Sequence, residues 1–214
     1  MEESFEKYLD GKQLKVVDEL NSPLKIQEFL DSVAYVSGEE NRSPIKVLEV
    51  RQAHCLDGGV FAAAALSRLG YPPLILQMLP EPGLDDDHIL AIFKEKGCYG
   101  AVAKSNFTGL RFREPVYRSY RELVMSYFDS YFNLDGIKTL RGYTRPVDLR
   151  SYDSRNWMGS DAAVDCLEQD MKKLRMIPVL TDEMKARLNP VDPITYKAGM
   201  LVVNQDGLFK PLRS

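Results

Sequence analysis

Imidazole and thiol are both scarce in this chain of 214 residues, which holds 2 histidines, 3 cysteines and 1 tryptophan. Any site that needs an imidazole therefore has two candidates, His54 and His88. The cysteines, Cys55, Cys98 and Cys166, are odd in number and far apart. That argues against a disulfide scaffold and for a reducing compartment. They also lack the short paired spacings of structural zinc sites, so no metal is expected. No apolar run approaches the ~20 residues that a membrane span needs. The start, Met1-Glu2-Glu3-Ser4, lacks the basic end and apolar stretch of a secretory signal. A net charge of −3 supplies no electrostatic pull toward nucleic acid or an anionic membrane. The expectation is a soluble, cytoplasmic protein with neither as a partner.

What is present is ordinary globular composition, 44% hydrophobic and 28% charged, in a length that suits one domain with a sizeable core. Ser22-Pro23 and Ser43-Pro44 each read as a helix N-cap followed by proline at the first helical position. Residues 60 to 66 are apolar without a break, so the helix that begins near Cys55 should be buried all round. Gly58 and Gly59 cost that helix about 1 kcal/mol each against alanine; small residues there let another element pack very close. Gly70 followed by Tyr71-Pro72-Pro73 ends it. Three strands are expected at Leu74 to Leu79, His88 to Phe93 and Cys98 to Ala103, with short turn-rich links that favour antiparallel neighbours. A helix should run from Arg118 to about Tyr131, and another from Asp161 to Leu174. The stretch between them reads as irregular, and the rest as a partly ordered flank.

Cys55 stands just before the buried helix, where orphan N–H groups and the positive end of the helix dipole favour a thiolate. Taken by position, a small buried hydrophobe is the commoner role of a free cysteine. His88 opens an apolar strand after Asp85-Asp86-Asp87; alone it reads as a surface histidine beside a solvated acidic loop. Asn106 follows the third strand in Ser105-Asn106-Phe107-Thr108-Gly109, residues that also make an ordinary turn. The chain order cysteine, histidine, asparagine is what gives these residues a joint reading. A general base acting on a thiol needs a third group to orient its other ring nitrogen. His54, adjoining Cys55, reads as local packing or substrate-side lining, and Cys98 and Cys166 as structural. Arg111, Arg113, Arg118 and Arg121 read as partners of the chain's own groups rather than as a site for an acidic substrate.

Cys55-Leu56-Asp57-Gly58-Gly59-Val60-Phe61-Ala62 resembles the nucleophile helix of the transglutaminase-like branch of the papain-like cysteine protease superfamily. Leu69-Gly70-Tyr71-Pro72-Pro73 is similar to the link that follows that helix, and His88 with its apolar strand to the family's histidine strand. The resemblance covers roughly residues 45 to 107. Lys104-Ser105-Asn106, Leu110 to Tyr117 and Met125-Ser126-Tyr127-Phe128 are further similar to a group of bacterial transglutaminase-like proteins that brings no known activity. The chain departs from the pattern in carrying Asn106 where transglutaminases have aspartate, and in lacking a tryptophan upstream of Cys55.

The resemblance implies an α+β fold: a papain-like core with the nucleophile helix packed on a small antiparallel sheet, surrounded by helices. It implies a single domain over 1–214, with its core at about 45–132 and a helical or irregular flank over 133–214. It implies a catalytic Cys55, His88 and Asn106, with Gln52 or Ser105 as possible oxyanion or orienting groups. The reaction would be hydrolysis or acyl transfer on a peptide or a small amide or ester, without a cofactor. The alternative is a non-catalytic binding or scaffold protein that keeps the same fold.

Overall fold

The computed structural model describes residues 4–38 and 40–209. After a 3-10 turn at Phe5–Tyr8, the chain forms α1 (Gly11–Asp18), α2 (Pro23–Ser32), a two-residue strand β1 (Ala34–Tyr35), α3 (Pro44–Val50) and β2 (Gln52–Ala53). Ser22 and Ser43 accept hydrogen bonds from the backbone N–H groups of Lys25 and Lys46, so each cap signal in the sequence does start a helix. β1 pairs with β2 in parallel. α4 (Cys55–Arg68) follows immediately and stops where Gly70 turns left-handed at φ 87°.

Then come β3 (Leu74–Pro80), β4 (His88–Glu95), β5 (Cys98–Val102), β6 (Arg113–Tyr117), α5 (Tyr120–Met125), β7 (Leu140–Tyr143), β8 (Val147–Asp148), α6 (Asp161–Met171), β9 (Ile177–Pro178), α7 (Asp182–Lys185) and α8 (Pro193–Gly199). The large sheet runs β6-β5-β4-β3-β7-β9, with β8 also on β3, and every pairing is antiparallel. This is an α+β fold. No described helix is long and apolar enough to cross a membrane.

Strand alternation sorts the sheet into two faces. Ile75, Ile89, Ala91, Phe93 and Val102 pack with α4 in one apolar cluster. Leu76, Met78, Leu90, Ile92 and Ala101 point the other way and pack with Leu123, Val124, Tyr127 and Tyr131. On the α4 side the paired glycines set the approach. A Cβ on Gly59 would lie 2.5 Å from Ile89 Cγ2, and one on Gly58 2.1 Å from Lys104 Cβ. No L side chain fits there without moving β4 or Lys104, two residues beyond β5. Lys104 is itself buried, its ammonium donating to the Leu30 carbonyl at 2.8 Å and to the Val33 carbonyl, which satisfies the open end of α2.

Two expectations need revision. Beyond residue 132 the chain is not only helical or irregular: β7, β8 and β9 join the sheet, β7 lies against β3, and the Thr144 N–H donates to the Gln77 carbonyl at 2.9 Å. The helix expected to reach Tyr131 ends at Met125, and a 3-10 turn covers Phe128–Ser130. Arg113 explains the early stop: its guanidinium donates to the Ser126 hydroxyl at 3.0 Å and carbonyl at 3.2 Å, and stacks 3.9 Å over the Tyr127 ring. Arg111 pairs with Asp31 at 3.1 Å, and Arg121 donates to the Val179 carbonyl at 3.1 Å. Three of the four arginines thus serve the fold.

Candidate functional site

Cys55 is the first residue of α4 and half-buried. His54 caps the helix through its imidazole: Nδ1 accepts from the Leu56 N–H at 3.2 Å, which leaves the Nε2 hydrogen for Asp57 Oδ1 at 3.2 Å. Asp57, fully buried, also accepts from the backbone N–H groups of His54 and Arg42, at 3.1 and 2.7 Å. Both ring nitrogens of His54 are therefore spent on holding the helix tip.

The Cys55 thiol donates to the Asp87 backbone carbonyl at 3.6 Å, and the Ile89 backbone N–H is directed at the sulfur. Burial pushes the thiol well above its ordinary value, and the carboxylates of Asp87, Asp86 and Asp57 push the same way; only the Ile89 N–H pulls it down. The helix dipole is worth at most about 2 kcal/mol toward a thiolate. Dehydration and three nearby negative charges oppose it and the net direction is upward, so the sulfur stays protonated at neutral pH.

His88 does not meet Cys55. Ile89 turns its side chain onto Gly59 of α4, so the preceding residue must face the opposite side of the sheet. There His88 is buried among the second apolar layer, and its Nε2–H donates to the Leu110 carbonyl at 2.7 Å. Burial holds the imidazole down at about 4, with the charge of Arg113 adding to the effect, so the ring is neutral at pH 7. Asn106 is equally committed elsewhere: Nδ2 donates to the Asn204 carbonyl at 2.9 Å, and Oδ1 accepts from the Asn204 N–H at 2.8 Å. The Ser105 hydroxyl accepts from the Phe107 N–H at 3.0 Å, closing a turn. Gln52 lies exposed on β2. Of these five residues, only Cys55 lines the cleft that opens beside α4.

That cleft has a volume of about 570 Å³. Its walls come from the β1 region (Tyr35, Ser37), the α4 tip, the β3 strand (Gln77, Leu79), the Asp85-Asp86-Asp87 turn, and α6 with its C-cap (Glu168, Met171, Lys172). Loss of hydration, with Asp87 and Asp85 close by, raises the Asp86 carboxyl to about 6; burial also raises Asp85 and Asp87. Gln77 is 6% exposed, and its amide nitrogen donates to the Asp87 carboxylate. Its Oε1 has no hydrogen-bond partner among the described residues. The sequence did carry one signal for this residue, a lone amide inside the apolar run from Leu74 to Leu79. Among the described residues, no three His, Cys, Asp or Glu gather as ligands of one metal ion.

The remaining wall is the end of the described chain. Gly207, Leu208 and Phe209 line the cleft. They are held there by the Asn106–Asn204 pair, by Asn204 Nδ2 donating to the Tyr35 carbonyl at 3.0 Å, and by the Ser37 hydroxyl donating to the Asp206 carbonyl at 2.7 Å. Nothing in the sequence marks these residues as part of a site.

No protein-family model matches the chain, and no curated protein matches it. Among solved structures it is similar to LapG of Legionella pneumophila. The identity there is 14% and the TM-score 0.36, over 47% of this chain and 68% of that one. For EGTA-treated LapG of Legionella pneumophila the identity is 13% and the TM-score 0.40, over 76% of this chain and 93% of that one.

Proposed function

We propose that the chain keeps a transglutaminase-like scaffold but works as a binding protein, with the cleft beside Cys55 as its ligand site. The observation that carries this reading is the side-chain order on β4: Ile89, not the imidazole of His88, faces the tip of α4. A thiol that stays protonated and has no free imidazole beside it is a poor nucleophile. A concave cleft lined by both apolar and polar groups is the usual form of a ligand site. In this role Cys55 is a wall residue, and Asn106 and Ser105 shape the loop that anchors the far wall.

Cysteine-dependent hydrolysis or acyl transfer on an amide or ester is the competing reading. It has one observation in its favour: the sulfur stands at a helix start with the Ile89 N–H aimed at it. It requires β4 to shift by one residue, so that His88 exchanges faces with Ile89.

A thermal-shift screen of small amides, esters and peptides, run on wild type and Cys55→Ala, separates the two. Binding predicts that hits raise the melting temperature of both proteins alike and are recovered unchanged. Product formed by wild type and lost in Cys55→Ala overturns the proposal.

A further inference from the structure

Four carboxylates line the cleft against a single ammonium. Glu168 is already paired with Lys172 at 2.8 Å and accepts from Asn41 at 3.0 Å, and Asp85 accepts from Thr139 at 2.6 Å, so the open acceptors are on Asp86 and Asp87. A cluster of carboxylates alone would mean little. Gln77 gives it meaning. Its nitrogen is tied to the Asp87 carboxylate, which fixes the amide orientation, so Oε1 is left as a dehydrated acceptor without a donor. Leaving such an atom unmade is costly, and native proteins seldom do so without a use. The missing partner is a hydrogen-bond donor, in a place where four carboxylates face one ammonium.

We infer that the cleft binds an organic cation rich in N–H donors, a guanidinium or ammonium group, whose donors reach Gln77 Oε1 and the neighbouring carboxylates. This rests on the reading of the cleft as a ligand site. A guanidinium carries five N–H donors in a planar fork and no acceptor, the complement of a wall made of carboxylates and an amide oxygen. The carboxylates do not gather three around one point as a metal ion's ligands do, so a group that spans several acceptors fits better than a point charge. Leu79, Met171, Leu174, Leu208 and Phe209 line the same cleft and give an aliphatic stem an apolar bed. The Asp86 carboxyl, raised to about 6 by loss of hydration and by like charges alone, has no cation of its own. The shared chemistry covers a basic side chain of a peptide and a free amine.

The test uses alkylation of Cys55 by iodoacetamide at mildly alkaline pH, followed by mass spectrometry of the Cys55 peptide in the intact protein. The probes are agmatine, an acetylated and amidated Gly-Arg-Gly peptide, its citrulline and glutamate counterparts, and magnesium chloride. The expected result is at least tenfold protection by agmatine or the arginine peptide and none by the others. Protection by the peptide alone identifies a polypeptide source, and by agmatine alone a free amine. Gln77→Met should weaken protection about tenfold; Glu168→Gln, on the surface of α6, should weaken it without risk to β3.

Equal protection by the citrulline peptide, protection by magnesium instead, or undiminished protection in both variants overturns the inference while leaving a ligand site. If no probe of any charge protects Cys55, the inference and the binding-site reading both fail.

Discussion

His88 Nε2 lies 2.7 Å from the Leu110 carbonyl oxygen, on the side of the sheet turned away from Cys55. The bond ties β4 to the loop before β6, and so gives the histidine a structural role. His88→Ala removes the donor from a buried carbonyl and leaves a cavity, which should destabilise the fold by about 2–4 kcal/mol. Urea denaturation checks it. A variant as stable as wild type would remove that role.

The same residue makes stability depend on pH. Its folded value of about 4 lies below the 6.5 of an unfolded histidine, so the unfolded chain takes up the proton first. Stability from this group is complete above about pH 6.5, declines as pH falls, and is lost by about pH 4, roughly 3 kcal/mol in all. Asp85, Asp86 and Asp87, raised by burial, act in the opposite direction over part of that range. The difference between wild type and His88→Gln isolates the histidine: their urea midpoints should converge as pH falls from 7 to 4. In NMR the His88 ring should titrate near 4; titration near 6.5 contradicts its burial.

Cys55 should alkylate more slowly than a free peptide thiol at pH 7 and gain rate only in alkaline solution, because burial and three carboxylates keep it protonated. Asp86→Asn, which removes one of those charges, should speed the reaction several-fold. Rapid modification at mildly acidic pH would restore the case for a catalytic thiol.

Gly58→Ala and Gly59→Ala each gain about 1 kcal/mol of helix propensity. Both nevertheless should destabilise, by about 1–3 kcal/mol net, because the added methyl meets Lys104 Cβ at 2.1 Å or Ile89 Cγ2 at 2.5 Å. Melting curves of the two variants test it, and a rise in melting temperature for either would show that α4 has room to move.

Much of this architecture was legible in the sequence. Ser-Pro pairs marked α2 and α3, the unbroken apolar run marked α4, and Gly58-Gly59 marked its close contact, because each reflects a local cost that only a particular structure offsets. The positions of Cys55 at a helix start and His88 at a strand start were legible for the same reason. The face that His88 takes was not, because it depends on which neighbour packs against α4, and either parity of an apolar strand looks alike in sequence. The acidic turn was visible as a string of aspartates, but that Gln77, Glu168 and the last described residues share its cleft follows from long-range packing alone. β7 was not legible because Leu140-Arg141-Gly142-Tyr143 is short and carries an arginine and a glycine, so it does not read as an interior strand.

Asn106→Ala removes both hydrogen bonds to Asn204. It should loosen residues 204–209 locally and leave the sheet intact, so the amide of Asn204 exchanges with deuterium at least tenfold faster while the urea midpoint changes little. Cys55 should become more reactive, since one wall of its cleft opens. Loss of Cys55 reactivity would instead indicate that Asn106 supports the thiol directly.

The stitching of Tyr35 and Ser37 to Asn204 and Asp206 also sets an order of assembly. Every described strand of the sheet has been synthesised once Pro178 leaves the ribosome, yet the Cys55 cleft lacks a wall until Phe209 has followed. A nascent chain can hold a finished sheet while this cleft is still open on one side, so the cleft is complete only after translation has passed residue 209.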